Sequence, residues 1–430
     1  MVTINYRLGP FGFLAVEGSA ELTGNIGLKD QQEAIQWVNR NIQYFGGDPE
    51  KVTLFGESAG AVSVHAHILS PRIGNLFQGA ILQSGAALMM YTLYFTVNGA
   101  QNAQRAYLER IGCDVADVMG CIKDMDVDKI MEIGSTDAVD AILFPFWLVQ
   151  DSASLSPVLP ENPLQVLMAG KMKKIPLIVG ITKDDGGLAV MVDQRWKPAF
   201  ESGETSDMAA PMGLIGSSEE NIIIATIFRR FYFSEGNFAE NEENIMEQST
   251  DTYFGSPAAE VSKFHSKVAP VFPFVLNQRC TDFSIAALFG AQKDDWVFHG
   301  DDLQCIFQPF PTFGPLTESG QKTSQAMVKS WANFAKFQNP STELTVESEW
   351  PEGEIMFFEE ESGLKQDTEQ PRDIAARALL WDKVYWESLE KDVAPMMSAD
   401  AESPVRSSQT RSFISMMNPF NWYHTHPSQF

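Results

Sequence analysis

The stretch Phe45–Gly60, FGGDPEKVTLFGESAG, decides how this 430-residue chain folds. Val52 to Phe55 is β-branched and aromatic, as a short strand requires, and Ala61 to Leu69 is apolar and alanine-rich, as a buried helix requires. Between them stands Ser58, flanked by Gly56 and Gly60 in a G-x-S-x-G pattern. A strand that turns straight into a helix holds the residue at the turn in a strained conformation, and glycines beside it let neighbouring elements pack close. The reading is a nucleophile elbow, with the serine hydroxyl lifted above the sheet edge.

Outward from the elbow, strand-like segments recur at Val2–Tyr6, Gly79–Gln83, Leu177–Gly180 and Val271–Leu276. They alternate with helical patterns at Asp30–Tyr44, Ala100–Ile111 and Thr323–Phe337, which predicts an α/β fold with a mainly parallel sheet. Residues 89–170 and 190–265 read as helical or loop insertions that wall the site. Ala375–Leu389 reads as a closing helix anchored by Trp381. Residues 391–430 are rich in Met, Ser, Pro and His without periodicity, the composition of a disordered tail.

With 44% hydrophobic and 20% charged residues the chain can bury a large core. Its formal charge of -25 opposes binding to nucleic acid or an anionic membrane and modestly favours cationic partners. Acidic clusters at Glu235–Asp251 and Glu343–Glu369 are expected to be solvated loops or helix faces. No run of about 20 apolar residues is present to span a membrane. The sequence also shows no signal peptide and no N-x-[ST] site with an allowed middle residue, so it leaves the compartment unassigned.

Residues 45 to 60 resemble the serine signature of the type B carboxylesterases, the cholinesterase-like branch of the α/β-hydrolases. VTINYRLGPFGFL at Val2–Leu14, GNIGLKDQQEAIQWVNRNI at Gly24–Ile42 and LSPRIGNLFQGAILQSGAAL at Leu69–Leu88 are similar to the same family, and the likeness continues more loosely to about residue 390. The resemblance implies one α/β-hydrolase domain over 1–390. It implies hydrolysis of a small-molecule carboxylic ester through an acyl-enzyme, with no metal or organic cofactor. For this family an extracellular location is the expectation.

A serine nucleophile needs a base, and the base needs an orienting group. In α/β-hydrolases the acid follows the serine and the histidine comes last. IPLIVGITKDDGGLAV at Ile175–Val190 resembles the family's acid loop, and the acid position falls on Asp185, with Asp184 as its competitor. Of six histidines, His65 and His67 lie on the helix after the elbow and read as packing or surface residues, His265 sits near a helix end, and His424 and His426 belong to the tail. His299, in DDWVFHGDDLQCIFQPF, resembles the family's histidine loop. The expected triad is Ser58, Asp185 and His299, with the backbone N–H of Ala59 as oxyanion donor.

The same resemblance implies an ion pair between Arg7 and Asp30, with the arginine buried, and a short disulfide loop between Cys113 and Cys121, while Cys280 and Cys305 are left without an assigned partner. The glycine-rich HGGG-type loop that supplies further oxyanion donors in the family occurs nowhere in the 430 residues. Nor does the strand leading into it, so the sheet is expected to have a gap beside Val52–Phe55, or to be rearranged, and esterase activity to be low. Without that loop a second function stays open, that of a non-catalytic, cholinesterase-like adhesion or binding protein.

Overall fold

The computed structural model describes the chain apart from residues 17–18, 20, 90–98, 115–116, 132–145, 194, 210, 213, 215–218, 291–294, 308–312, 342–349, 360–362, 365–373 and 399–430. Six strands form one sheet in chain order: β1 (Thr53–Glu57), β2 (Gly79–Gln83), β3 (Leu177–Thr182), β4 (Val271–Leu276), β5 (Met356–Phe358) and β6 (Gly363–Leu364). The first five run parallel and only β6 is antiparallel. Helices separate the parallel strands, as such connections require. The ones that bear on the site are α1 (Ile26–Asn41), α2 (Ala59–Leu69), α3 (Glu242–Thr250), α4 (Ser256–His265), α5 (Asp301–Ile306), α6 (Glu318–Phe337) and α7 (Ile374–Trp381).

Parallel strands are covered on both faces and read as continuous apolar runs. All five residues of β2, GAILQ, are buried, and in β3, LIVGIT, only Ile181 is partly exposed. α2 is likewise buried from Ala61 to Leu69, which is why its sequence carries no polar stripe. A cage of rings beneath the sheet joins Phe274 of β4, Phe358 of β5 and Trp331 of α6, with centroids 5.1 Å apart for Phe274–Trp331 and 5.6 Å for Trp331–Phe358. Both are edge-on contacts, the arrangement the ring quadrupoles favour.

Four expectations change. Val2–Tyr6 is not a strand: residues 1–8 have no regular structure, and Met1, Val2, Ile4 and Leu8 are exposed. Alternating residues make a strand only where a neighbour completes the hydrogen-bond ladder, and β1 pairs with β2 alone. Among the described residues β1 is therefore the terminal strand of the sheet, and Phe55 in its middle is 36% exposed. The acidic stretches are also less solvated than expected. Buried Asp251 accepts from the Tyr232 hydroxyl at 2.6 Å and pairs with Arg377 at 2.8 Å, and the fully buried β5 lies inside 343–369, much of which is outside the described residues.

The third correction concerns the carboxyl end. Met1–Ser388 forms one compact unit and Leu389–Phe430 a second. A helix spans Glu387–Ser398, so residues 391–398 are helical rather than disordered. The remainder of the expected tail, with His424 and His426, lies outside the described residues. A π-helical turn at Asp382–Trp386 joins α7 to this helix, and Trp381 is buried as its anchoring role demands.

Arg7 meets Asp30 through Nε at 2.8 Å and Nη2 at 2.6 Å, and Asp30 also accepts from the Arg7 backbone N–H at 3.1 Å. The pair forms, but it is not buried, because the Arg7 side chain is 56% exposed. An exposed pair is worth about 0.2–1 kcal/mol, so Arg7→Ala is expected to lower stability by no more than that in urea denaturation. A loss of several kcal/mol would mean that the pair is desolvated in solution. Cys113 is bonded to Cys121, and Cys280 to Cys305, which ties the segment after β4 to α5.

Candidate active site

β1 ends at Glu57 and α2 begins at Ala59, leaving Ser58 alone to make the turn, at φ 56° and ψ −122°. Non-glycine residues rarely occupy positive φ, and here the surroundings hold it: Ser58 N–H donates to Gln83 at 2.8 Å, and Ser58 C=O accepts from Val62 at 3.0 Å. The two motif glycines differ. A Cβ on Gly56 would lie 2.3 Å from the Gly60 backbone, whereas a Cβ on Gly60 would meet nothing within 4 Å. Close packing thus explains Gly56 only.

Asp185 follows β3, and its buried carboxylate is oriented by the Thr182 N–H, which reaches Oδ2 at 2.9 Å. Its Oδ1 lies 2.9 Å from His299 Nδ1, and His299 Nε2 lies 2.8 Å from Ser58 Oγ. Asp184 is turned elsewhere, accepting from the Val297 N–H at 2.8 Å. The histidine loop is pinned by Asp301, which accepts from the N–H groups of Phe298 and Ile285 at 2.8 Å each, and the Phe254 ring lies 4.8 Å from the imidazole. The structure thus brings Ser58, Asp185 and His299 together. Ala59, at the exposed first position of α2, has an amide beyond the reach of the helical ladder and open to an outside acceptor.

His65, His67 and His265 are occupied in the core. His65 Nδ1 accepts from Ala87 N–H at 3.0 Å, His67 Nε2 lies 2.8 Å from Gln31 Oε1, and His265 Nε2 lies 2.8 Å from the Ile175 carbonyl. Burial lowers the first to about 3 and the second to about 4, which keeps both rings neutral.

Two carboxyl groups at the site were not anticipated from sequence. Glu57, inside the quoted motif, brings Oε1 to 3.3 Å from His299 Nε2, the nitrogen that also faces Ser58. Asp302 is fully buried, and its Oδ2 accepts from Gln83 Nε2 at 2.6 Å. Gln83 in turn accepts from Trp331 Nε1 at 3.0 Å, so a hydrogen-bonded chain runs from the ring cage to the site. Burial raises the Glu57 carboxyl above its ordinary range, with Asp302 and Asp185 reinforcing the rise and the His299 imidazolium opposing it. Burial alone would lower His299, but Glu57, the Asp185 hydrogen bond and Asp302 outweigh it and lift the imidazole to about 9. A carboxylate directly beside the candidate serine was the signal available in the sequence; its effect depends on burial, which the motif does not encode.

The carboxylesterase family profile matches residues 1–373. The chain is 28% identical over 414 residues to the cocaine esterase of Homo sapiens, covering 94% of this chain and 68% of that protein. It is 31% identical over 385 residues to the juvenile hormone esterase of Tribolium castaneum, with 79% of this chain and 62% of that protein covered. With the para-nitrobenzyl esterase of Bacillus subtilis (strain 168) the figures are 30% over 387 residues, 86% and 71%. The chain therefore spans about two thirds of the length of these relatives. A match to residues 1–373, most of its length, makes this chain a member of the carboxylesterase family.

Proposed function

We propose that this chain is a serine carboxylic ester hydrolase working through an acyl-enzyme, with Ser58 as nucleophile, His299 as general base and acid, Asp185 as the group that orients it and Ala59 N–H as oxyanion donor. The observation that carries this reading is the relay from Asp185 Oδ1 through the His299 ring to Ser58 Oγ, at 2.9 and 2.8 Å. In the first half-reaction Oγ attacks the ester carbonyl while its proton passes to His299 Nε2, and the oxygen that becomes negative is met by the Ala59 N–H. Collapse breaks the bond to the alcohol, which leaves with the proton from Nε2 and an acyl group on Ser58. In the second half, Nε2 takes a proton from water, the hydroxyl adds to the acyl carbon, and the acid departs as Oγ recovers its proton. Asp185 keeps Nδ1 protonated so that Nε2 can accept, and it stabilises the imidazolium formed on the way.

The experiment that tests this is labelling with a fluorophosphonate followed by peptide mapping. Stoichiometric modification at Ser58, lost in Ser58→Ala, is the expected result. No labelling in the folded chain would favour a binding protein that keeps the triad geometry without its reactivity.

The base must be unprotonated, so a raised His299 makes kcat/KM for a p-nitrophenyl ester climb with pH through the neutral range towards about 9. Glu57→Gln removes one of the charges that favour the imidazolium. The expected outcome is an ascending limb displaced to lower pH. An unmoved limb would show that Glu57 does not set the protonation of His299.

A further inference from the structure

The segment that joins α3 to α4 touches two members of the triad's surroundings at once. Thr250, the last residue of α3, accepts from the Gly186 N–H through Oγ1 at 2.9 Å, directly beside Asp185. The acid loop sits so close there that a Cβ on Gly186 would lie 2.1 Å from the Met246 carbonyl oxygen. Further along, the Phe254 ring lies 4.8 Å from the His299 imidazole. Hydrogen bonds at 2.9 and 2.8 Å fix the two nitrogens of that imidazole, but they leave the ring able to rock about the line between them. A second ring packed on one face limits this motion.

Between the two contacts the chain makes a π-helical turn, Asp251–Gly255, closed by the Ser256 N–H on the Asp251 carbonyl. Residues three apart share a face of an α-helix, whereas the wider π turn directs Asp251 and Phe254 to different neighbours. Asp251 meets α7. Its Oδ1 accepts from Arg377 Nη2 at 2.8 Å, its Oδ2 accepts from the Tyr232 hydroxyl at 2.6 Å, and Trp381 Nε1 donates to that hydroxyl at 2.8 Å. Arg377 also reaches Glu247 on α3 through Nη1, at 2.7 Å. One planar guanidinium thus straddles Thr250 and ties the end of α3 to the start of the π turn, in directions that its rigid fork fixes. Arg377 lies beyond the stretch 1–373 that the carboxylesterase profile matches, so the family match does not supply this clamp.

We propose that Arg377 is a positioning residue for the triad: by clamping Glu247 and Asp251 it sets the π turn so that Phe254 stays packed on the His299 imidazole, in line with Asp185 and Ser58. The role rests on the ester hydrolysis proposed above and adds to it a residue on α7 that touches none of the three.

Arg377→Met keeps a long side chain and loses both ion pairs. With a p-nitrophenyl ester, kcat per serine titrated by the fluorophosphonate is expected to fall by about 10–10²-fold while KM changes far less, the loss that a small misplacement of a reacting group causes. Phe254→Leu should lose activity of the same order, and adding Arg377→Met to it should cost little more, because both changes reach His299 through one contact. Arg377→Met combined with Glu247→Gln and Asp251→Asn leaves no carboxylate unpaired at the clamp, so it should regain stability in urea without regaining kcat. A further readout needs no turnover: the proton between His299 Nδ1 and Asp185 should give a far-downfield NMR resonance that broadens in Arg377→Met and in Phe254→Leu. If the folded chain neither labels nor turns over an ester and the resonance still responds, the hydrolysis fails and the clamp stands. Additive losses in the Arg377 and Phe254 variants, a kcat that returns together with stability, or a resonance unchanged in Arg377→Met would overturn the proposal.

Discussion

His299→Ala is expected, on the function proposed above, to lower turnover of a p-nitrophenyl ester by about 10⁴-fold or more, with KM changed far less, because members of a catalytic triad act as a unit and removing one leaves little of what the others contribute. The geometry makes His299 the residue on which the unit depends: one ring nitrogen meets Ser58 at 2.8 Å and the other meets Asp185 at 2.9 Å. Asp185→Asn should retain the fold, since Thr182 N–H can still donate to the side-chain oxygen, yet it should lose activity of the same order by favouring the wrong imidazole tautomer. Asp184→Asn is the matched control. Its carboxylate is spent on the Val297 N–H, so activity should fall only as far as the loop loosens. Equal losses in the two aspartate variants would show that the acid had been assigned wrongly.

That pair of aspartates marks how far sequence could be read. The elbow was legible because everything that forms it is local: a strand, one residue of turn and a buried helix follow one another within Thr53–Leu69. Asp184 and Asp185 stand in the same turn, and only the arrival of the 296–299 loop separates them, giving one a backbone partner and the other the imidazole. Glu57 lay in plain view within the motif, but its influence on His299 comes from exclusion of water, a property of the packed site. Cys280 and Cys305 meet only after the segment following β4 and α5 have packed, so no spacing rule could have joined them across 25 residues. β5 was missed for a similar reason, as three residues set in an acidic stretch become a strand by docking on β4.

Val2–Tyr6 is the opposite case, a pattern with no partner. Its alternation fits a strand, but among the described residues no strand pairs with the outer side of β1, and residues 1–8 run free of the sheet with Met1, Val2, Ile4 and Leu8 exposed. Local propensity proposes an element, and ladder pairing decides whether it forms.

The position of β1 at the edge of the sheet, among the described residues, leads to the second large expected effect, which has a solution arm and a catalytic arm. A strand that among the described residues pairs with β2 on one side only leaves backbone N–H and C=O groups on the other, and Phe55, which stacks on Phe307 at 5.9 Å from one face of that strand, is still 36% exposed. Natural edge strands are usually blunted by charge, bulges or cover, and an unblunted one invites pairing with another chain. The expected behaviour is concentration-dependent association and poor solubility, relieved in Phe55→Lys, as light scattering would report. The catalytic arm follows from the oxyanion. Ala59 N–H is the single donor assigned to it here, and one donor is typically worth about 10²–10³ in rate. A version extended at its amino terminus with a strand to pair with β1 and a glycine-rich loop at that strand's end should therefore turn over p-nitrophenyl esters at least 10²-fold faster, by the worth of a single added donor. It should also stay dispersed without the Phe55 substitution, because the same strand that carries the donors closes the edge. Comparable turnover with and without the extension would mean that the negative oxygen is already met by donors other than Ala59. Faster turnover without any gain in solubility would mean instead that the added loop reaches the oxyanion while β1 remains unpaired.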